Sequence, residues 1–462
     1  MISIKSLLKT SVIYGFGSIF MRAMTFLLLP FYTNELENYG EFILVMTTIG
    51  FLRIFYSHGM GDSFLKIYSQ SNNKEKITTT YLLYILFVIA CFSIFFSIIN
   101  LIINIDDTGS LLGLLQNKLI FIILIVLFDT INYRMIDILR IQNHAIYYMI
   151  GQITGVISTF VLTIYFVNML PDNSIIPFIN NAVEGALLAV LMGGIVTFII
   201  FSPILFQNIK INHFSKLYLQ KMISLSMRFF PAAVFFIFME LIDRYLLKLL
   251  LNVPNANDLI GTYSVGCKLA SIPMLLISAF NLGWQPFYLN NGNTKDAIQK
   301  YTKVGNAFII IMLSMSWCVS MLMPIIAQLH IPFINNYPLI GIKFIAGIEI
   351  IPIILISHVF YAMYIINMPA IYLCDKQNWS PIFRIFGAMI NVILNLILIP
   401  IYGIYGAAIA TAASYGSMFM LLYYKNKNWI PMKLAWKDIV SLSLIIIISI
   451  MTTSNLKITI MI

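Results

Sequence analysis

The sequence predicts an all-α polytopic membrane protein built from two six-helix bundles, and three observations support this fold class. First, 60% of the 462 residues are hydrophobic, only 10% are charged, and the mean hydropathy is +0.90. Soluble chains carry about 25% charged residues, so this composition excludes a water-soluble enzyme, a disordered protein and a nucleic-acid-binding domain. Second, the chain contains apolar runs of about 20 residues, the length that a bilayer-spanning helix needs. Third, most basic residues lie on one side of the predicted spans, and short sequence motifs recur at a fixed spacing in the two halves of the chain.

Thirteen apolar runs, joined by short polar segments, are the predicted spans. Backbone N–H and C=O groups find no partners in lipid, so runs of this length predict helices, which satisfy those groups internally. A β-barrel would instead show alternating segments of about ten residues. The predicted spans cover residues 10–32, 40–60, 79–104, 119–139, 145–168, 181–206, 222–249, 259–283, 304–328, 345–372, 381–401, 404–424 and 438–453.

Basic residues predict the orientation of these helices. With the N-terminus in the cytoplasm, nineteen of the 28 lysines and arginines fall in inner loops or at the inner ends of spans, three fall in outer loops, and the other six lie elsewhere in spans. Cytoplasmic loops of membrane proteins carry such an excess of positive charge. The sequence therefore predicts a multi-pass membrane protein with a cytoplasmic N-terminus. Most of its net charge of +10 reflects topology.

Landmarks that recur 221 residues apart predict an internal repeat. Gly40-x-Phe42 opens span two and Gly261-x-Tyr263 opens span eight, while Glu184 and Tyr405 each precede a Gly-Ala pair. Because each half holds an even number of spans, the halves would share one orientation, related by a pseudo-two-fold axis along the membrane normal. The predicted domains are an N-terminal bundle, a cytoplasmic linker, a C-terminal bundle, and a basic loop with an extra helix, at 1–206, 207–221, 222–425 and 426–462.

An ordered set of motifs over residues 1–425 carries a family resemblance. The motifs are Tyr14-Gly15, Pro30-Phe31-Tyr32-Thr33, Asp243-Arg244-Tyr245, Trp284-Gln285-Pro286-Phe287, Asn391-x-x-x-Asn395 and Pro400-x-Tyr402-Gly403. Together they resemble the polysaccharide-transporter branch of the multidrug/oligosaccharidyl-lipid/polysaccharide flippase superfamily. Within that branch the sequence is most similar to the O-antigen unit flippases, the Wzx group.

This resemblance implies two helical bundles around a central cavity that works by alternating access. It implies a substrate, an oligosaccharide repeat unit on undecaprenyl pyrophosphate, moved from the cytoplasmic to the outer leaflet for O-antigen or capsular polysaccharide assembly. The expected partners are this lipid-linked oligosaccharide, membrane lipids, a polysaccharide polymerase and a chain-length regulator, with no nucleic acid. Relatives usually end after twelve or fourteen helices, so the topology of residues 438–462 is left open.

Four cations inside predicted spans are the candidates for substrate binding: Arg22, Arg53, Arg228 and Lys268. Ionisable groups within a bilayer are costly and therefore mark functional sites by default. Arg22 and Lys268 lie deepest, whereas Arg53 and Arg228 are close enough to helix ends for their side chains to reach the headgroups. Arginine grips phosphate oxygens bidentately and lysine acts as a point charge, so a cavity with dispersed cations would suit a pyrophosphate.

Acidic residues inside spans are candidates for ion coupling. Asp129 near the middle of span four and Glu184 at the start of span six are the predicted coupling residues, for H+ or Na+. Glu240 and Arg244 are spaced i,i+4 and, with Asp243 beside them, predict a structural ion pair. No cofactor or metal is expected, because the four cysteines show no CxxC spacing and the five histidines do not cluster.

Three other functions compete with the flippase interpretation. A cation-coupled drug antiporter of the MATE type would need an acidic cavity, and Arg22 and Lys268 would repel its organic cations. A lipid II flippase requires nearly the same physical chemistry. A membrane enzyme is disfavoured because the sequence shows no nucleophile elbow, no P-loop, no metal-ligand spacing and no large outer loop.

Overall fold

The structure is a computed structural model that describes residues 20–102, 110–142, 144–169, 179, 181–251, 253–331, 336–446 and 449. Over these residues the chain is helical throughout, apart from turns and one antiparallel ladder. In that ladder β1 (His330–Ile331) pairs with β2 (Tyr337–Pro338). The fold class predicted from the sequence, an all-α polytopic membrane protein, is confirmed.

The chain divides into two compact units, residues 1–237 and residues 238–462. The division falls inside one long helix, α10, which begins within the predicted linker 207–221. The helices of unit 1 are α1 (20–27), α2 (Leu29–Glu35), α3 (Tyr39–Ser57), α4 (Met60–Gln70), α5 (Lys74–Ile102), α6 (Leu111–Asn117), α7 (Leu119–Ile141), α8 (Ala145–Met169), α9 (Ala182–Asn208) and the first part of α10 (Lys216–Leu250).

Unit 2 contains the rest of α10 and the helices that follow it. They are α11 (Ala256–Ala270), α12 (Ile272–Asn291), α13 (Lys295–Ile326), α14 (Ile351–Ile366), α15 (Pro369–Leu373), α16 (Trp379–Tyr402), α17 (Ile404–Trp429) and α18 (436–446). Short 3-10 turns precede α10 at Ile211–His213 and α14 at Ile342–Ile348.

Within the described residues, nine helices are long and apolar enough to cross a membrane, or up to eleven if each of two bent pairs counts as one span. These eleven coincide with predicted spans two to twelve. The first and last predicted spans, 10–32 and 438–453, lie partly outside the described residues. The two bent pairs are Lys216–Arg228 with Phe230–Leu250, at 43°, and α11 with α12, at 45°.

The two units repeat the same helix pairings. In unit 1, α8 packs along α9 and α7 also packs against α9; in unit 2, α16 packs along α17 and α14 also packs against α17. Glycines permit close approaches in these pairings: a Cβ on Gly406 of α17, for example, would lie 2.3 Å from the Leu398 carbonyl oxygen of α16. The pairings correspond to spans four, five and six of each half, in agreement with the predicted repeat.

Large apolar side chains cover the outward faces of several helices. On α5 the exposed side chains include Phe87, Ile94 and Ile98, and on α16 they include Ile393 and Ile397. A water-soluble protein rarely exposes continuous apolar faces of this extent. These faces are therefore lipid-facing, as expected of a multi-pass membrane protein.

The C-terminal helix α18 lies against unit 2. The indole Nε1 of Trp317 on α13 donates to Ser449 Oγ at 3.0 Å, and the Trp436 ring packs edge-on against Tyr423 of α17. The segment before α18 is held by Asn306, whose Nδ2 donates to the Lys433 carbonyl at 3.1 Å. The predicted extra helix is therefore attached to α13 and α17 over its described part.

We predict that Gly266→Ala destabilises unit 2. The new Cβ would lie 2.3 Å from the Gly347 carbonyl oxygen and 2.5 Å from Ile350 Cγ1, so α11 would be forced away from α14. Overpacking of this kind costs about 1–3 kcal/mol. The midpoint of thermal unfolding in detergent measures the effect. Gly283→Ala is the matched control, because no atom lies within 4 Å of its added Cβ. Equal midpoints for both variants would contradict the close packing of α11.

Candidate functional site

A cation and a carboxylate lie near each other on adjacent helices of unit 1. Arg53 on α3 donates from Nη1 to Tyr133 Oη at 3.3 Å, and its guanidinium carbon lies 4.9 Å from the Tyr133 ring centroid. Asp129 lies one turn before Tyr133 on α7. The ring positions the guanidinium without neutralising it. Tyr133 therefore uses one of the five N–H donors of Arg53 and fixes the place of its guanidinium.

Arg22 and Arg228 are exposed side chains of unit 1. In the part of the chain that the structure describes, no carboxylate oxygen lies within 4 Å of either guanidinium. Arg228 ends the first segment of α10, where the helix bends by 43°. An exposed arginine inside a span is tolerated where it faces water or an anionic group rather than lipid tails.

Lys268 lies in the last turn of α11, immediately before the break between α11 and α12. The break is closed by Ser271, whose backbone N–H and Oγ donate to the Lys268 carbonyl at 3.2 Å and 2.7 Å. The Lys268 side chain is half-buried. Because the C-terminal end of a helix carries partial negative charge, this position stabilises an ammonium group within a span.

The most completely buried carboxylate among the candidates is Asp243 of α10. It is 1% exposed. It accepts hydrogen bonds from Tyr263 Oη at 2.5 Å, Thr411 Oγ1 at 2.6 Å and Asn395 Nδ2 at 2.7 Å. Asn395 Nδ2 also donates to Asn391 Oδ1 at 3.1 Å. Four helices, α10, α11, α16 and α17, thus converge on one carboxylate within unit 2.

This cluster contains more oxygen atoms than its hydrogen bonds use. Asn395 Oδ1 and Asn391 Nδ2 are buried without a hydrogen-bond partner among the described atoms. The orientation of an amide is assigned from its contacts, so rotating Asn395 would aim its oxygen at Asp243. Hydroxyl groups of Tyr263 and Thr411 can accept as well as donate. The set offers carboxylate, amide and hydroxyl oxygens of the kind that hard cations prefer.

Arg244 and Glu240 lie beside this cluster on α10. Arg244 donates from Nη1 to the backbone carbonyl of Glu240 at 2.7 Å, and its guanidinium carbon lies 5.7 Å from the Tyr263 ring centroid. The i,i+4 spacing therefore produces a side-chain-to-backbone bond here. Their role as a structural pair with Asp243 stays a prediction.

Glu184 is paired with a cation at the helix ends predicted to face outward. Lys118 Nζ contacts Glu184 Oε1 in a short salt bridge and lies 3.6 Å from Glu41 Oε1. The lysine side chain is 7% exposed. Asn181 caps α9 by accepting from the Glu184 backbone N–H at 2.9 Å. The three charged residues tie together the first turns of α3, α7 and α9, and we call them the unit 1 tie.

Unit 2 has a tie at the corresponding helix ends, made from different residues. Lys343 Nζ lies 2.8 Å from Asp258 Oδ1, joining the 3-10 turn before α14 to the start of α11. Tyr405 at the start of α17 donates to Glu349 Oε2 in a short hydrogen bond. Tyr405 follows Glu184 by the repeat distance of 221 residues. The unit 2 tie therefore performs the same joining with a more exposed ion pair.

A second buried charge cluster lies at the opposite end of unit 1. Arg134 Nη1 lies 3.1 Å from Asp137 Oδ2 and donates to Tyr81 Oη at 2.8 Å, while Tyr81 Oη donates to Asp137 Oδ2 at 2.6 Å. A Cβ on Gly61 would lie 2.7 Å from Arg134 Nη1, so α4 approaches this cluster closely. Each group is neutralised by its neighbours, which marks the cluster as structural.

The sequence identified Asp243 but not the partners that define its environment. Tyr263, Asn395 and Thr411 are 20, 152 and 168 residues away in the chain. One available signal was the pair of amides at Asn391 and Asn395, one turn apart in an otherwise apolar span. Polar side chains inside a span hydrogen-bond across helices, so this pair could have indicated a buried polar contact, although not its partner.

The geometry can now be compared with known proteins. A family model described as polysaccharide biosynthesis protein matches residues 7–286. The fold is similar to the lipid II flippase MurJ in an inward closed conformation, at 16% identity and TM-score 0.63, covering 96% of this chain and 92% of that one. It is also similar to an inward-facing multidrug resistance MATE family transporter of the MOP superfamily, at 14% identity and TM-score 0.59, covering 92% and 95%.

A mutant of the Vibrio cholerae MATE transporter VcmN shows the same likeness, at 12% identity and TM-score 0.56, with 92% of this chain and 96% of that one covered. Among curated protein sequences, none matches the chain significantly. At these identities the structural likeness establishes the fold.

We predict that Lys118→Met strongly destabilises unit 1. The change leaves Glu41 and Glu184 as buried carboxylates without their shared cation, and breaking a buried pair in this way costs about 3–5 kcal/mol. Adding Glu184→Gln to the variant should recover part of the loss. The measurement is the midpoint of thermal unfolding in detergent.

Lys343→Met is the matched control for this prediction. In the pair that it breaks, Lys343 is 49% and Asp258 31% exposed, and exposed pairs contribute at most about 1 kcal/mol. Equal shifts for Lys118→Met and Lys343→Met would show that the unit 1 tie is not the stronger one.

Proposed function

The chain belongs to the polysaccharide biosynthesis protein family, and from this premise we propose that it is a flippase for lipid-linked oligosaccharides. Its substrate is an oligosaccharide repeat unit on undecaprenyl pyrophosphate, moved from the cytoplasmic to the outer leaflet by alternating access through a cationic cavity. The product would serve O-antigen or capsular polysaccharide assembly. The protein would lie in the bacterial inner membrane with its N-terminus in the cytoplasm, supplying a polymerase and its chain-length regulator.

The observation that carries this proposal is the unneutralised charge of Arg22 and Arg228. Both guanidinium groups are exposed, and no described carboxylate lies within 4 Å of them. A pyrophosphate brings about two negative charges into a region where unpaired charge is costly. Bidentate hydrogen bonds from arginine replace the water that the phosphate oxygens lose. Arg53, positioned by Tyr133, adds a third cation.

Spreading the cations over several helices suits transport better than one tight cluster. A site that moves its ligand must bind it strongly enough to admit it and weakly enough to release it. Arg22, Arg53 and Arg228 lie on three different helices of unit 1. Each would hold the pyrophosphate in part, so that no single contact traps it.

For ion coupling, the geometry favours Asp243 over the residues predicted from sequence. Glu184 already has Lys118 as its counter-ion, and Asp129 lies one turn from Tyr133, the residue that holds Arg53. Asp243 is held by three uncharged donors and is surrounded by further oxygen atoms. A carboxylate with such neighbours can take up a proton or a monovalent cation and release it again. We therefore assign the proposed H+ or Na+ coupling to the Asp243 cluster.

Drug export and lipid II transport are the competing functions. The similar MATE structures support the fold only, and exposed arginines in the spans oppose the binding of organic cations. Lipid II carries the same pyrophosphate, so the cations do not discriminate against it. The lipid that accumulates when the protein is absent distinguishes these possibilities.

Deleting the gene in its host tests the proposal directly. We expect polyprenyl-pyrophosphate oligosaccharide, as one complete repeat unit, to accumulate on the cytoplasmic side, and surface polysaccharide to disappear. Extracted lipids analysed by mass spectrometry give both the accumulation and the chemical identity of the glycan. Normal surface glycan without accumulation would exclude the flippase proposal, and accumulated lipid II would identify the peptidoglycan precursor as the substrate.

We predict that Arg22→Gln and Arg228→Gln each lower surface polysaccharide about tenfold or more. Losing a charge-assisted bond of about 1.5–3 kcal/mol at the step that desolvates the pyrophosphate corresponds to such a factor. The assay is surface glycan in a complemented deletion strain at matched membrane expression. Arg140→Gln, which removes an exposed arginine at the end of α7, is the control and should retain transport. Full activity of both test variants would remove these arginines from the mechanism.

We predict that Asp243→Asn abolishes the dependence of transport on an ion gradient. Asparagine keeps the size of the side chain but neither binds a proton at its oxygen nor carries charge. Flipping in proteoliposomes is compared with and without Na+ and pH gradients. Glu184→Gln and Asp129→Asn are compared in the same assay. Loss of ion dependence in one of these two, with Asp243→Asn unaffected, would move the coupling site to that residue.

A further inference from the structure

The segment that joins α9 to α10 is held on the start of α5. Thr79 Oγ1 donates to the Asn208 carbonyl at 2.7 Å, and Thr80 Oγ1 accepts from the Ser215 backbone N–H at 2.9 Å. Both threonines are fully buried. The Lys210 backbone N–H also donates to Thr79 Oγ1, at 3.4 Å. The segment therefore has a fixed inner side, and we call residues 208–221 the strap.

The strap lies at the edge of the membrane. It joins α9, which is long and apolar enough to span, to the first segment of α10, which begins the next candidate span. On α9, Ile199, Pro203 and Phe206 form one exposed line, because residues four and seven apart share a helix face. This lipid-facing line ends where the strap begins. Since irregular backbone does not face hydrocarbon, the strap lies at the level of the lipid headgroups.

The outer side of the strap presents large apolar side chains. Ile211 is 75% exposed, Phe214 48% and Leu217 59%. The Phe214 backbone N–H donates to the Ile211 carbonyl at 3.2 Å, which closes a tight turn between these two residues. In such a turn, side chains three residues apart lie next to each other. Apolar groups this exposed are unfavourable in water and insert favourably between headgroups.

Positive charge accompanies these apolar side chains. From residue 207 to residue 239 the sequence contains no Asp or Glu. Glu75 Oε2, at the start of α5, lies 3.1 Å from Lys210 Nζ and 3.3 Å from His213 Nδ1. Lys216 and Lys221 are exposed, and in the described part of the chain no carboxylate oxygen lies within 4 Å of either ammonium group. The strap therefore offers two lysines to an anion from outside the chain.

The second half of the strap is held in place as the first half is. Tyr218 Oη accepts from Asn73 Nδ2 at 3.2 Å and shares a hydrogen bond with Ser71 Oγ at 3.0 Å. The Lys221 ammonium lies 5.9 Å from the Tyr218 ring centroid. The backbone that carries the lysines and the apolar side chains is thus ordered before any ligand arrives. Binding to such a segment avoids most of the entropic cost of ordering it.

We propose that the strap binds an anionic phospholipid of the leaflet at this end of the spans, which is the cytoplasmic leaflet in the proposed orientation. Lys216 and Lys221 contact the headgroup phosphate, and Ile211 and Phe214 insert beside it. Basic residues next to a membrane are attracted to anionic lipids, and apolar neighbours add affinity for any lipid. The bound lipid would fix the place where α10 enters the membrane, whichever substrate the protein moves.

The test measures lipid binding to the purified full chain in detergent by native mass spectrometry. The probes are phosphatidylglycerol and phosphatidylcholine with the same acyl chains, and we expect the wild-type protein to prefer phosphatidylglycerol. Lys216→Gln combined with Lys221→Gln should lower the affinity for phosphatidylglycerol about tenfold and leave the affinity for phosphatidylcholine unchanged. Ile211→Ser combined with Phe214→Ser should weaken the binding of both lipids. All four side chains are exposed, so these variants should fold.

Lys295→Gln combined with Lys300→Gln is the matched control. Both lysines are exposed on the first turns of α13, and no large apolar side chain is exposed between residues 295 and 303. The control should keep the preference for phosphatidylglycerol. Equal binding of both lipids to the wild-type protein, or an equal loss of preference in the control and in the strap lysine variant, would overturn the inference.

Two further outcomes would assign the strap to another occupant and so overturn the inference. Glycerol phosphate that binds as tightly as phosphatidylglycerol would show a site for a soluble phosphate. A wild-type dimer that dissociates in the variant with Ile211→Ser and Phe214→Ser would show that a second copy of the chain covers the apolar side chains.

Discussion

Hydrocarbon offers no partner for a charge or a hydrogen bond, and this constraint organises the whole molecule. Backbone groups satisfy it by forming helices, which explains why the described chain is nearly all helix. Side chains satisfy it in two ways. Some are buried and paired with neighbours, as in the unit 1 tie around Lys118 and in the cluster of Arg134, Asp137 and Tyr81. Others, such as Arg22 and Arg228, remain exposed and unmatched within the described residues. The second group indicates function, because an unpaired charge within a span is unfavourable unless a ligand or water solvates it.

The spans themselves were predictable because their signal is local. Apolar length alone located the eleven spans that fall within the described residues, and the basic residues assigned loops to one side. The bends were only partly predictable. Pro231 and Pro273 lie next to the bends in α10 and between α11 and α12, as expected where proline removes a backbone donor. Pro203, Pro324 and Pro400 are equally inside helices without such a bend, so proline alone does not locate a break.

The site was predictable as a set of residue types and not as an arrangement. Depth within a span identified Arg22 and Lys268 as unusual, since that judgement needs only the position in the run, whereas Asp243 was predicted only as part of a structural ion pair. The partners of Asp243 come from α11, α16 and α17, and their register depends on how four helices pack. Likewise, the sequence does not reveal the counter-ion of Glu184, because Lys118 is 66 residues away in the chain.

The two ties have a consequence for how the sequences of the two halves of such a protein diverge. Unit 1 joins its helix ends with a lysine between two glutamates; unit 2 uses a lysine–aspartate pair and a tyrosine–glutamate bond. What is kept is the joining of the same three helix ends, while the chemistry that does so is interchangeable. Descendants of a duplicated gene can therefore replace every residue of such a joint, one compensated change at a time. The two halves then keep the same helix packing after their sequence similarity is lost. Only scattered glycines still mark the repeat, at a spacing of 221 residues.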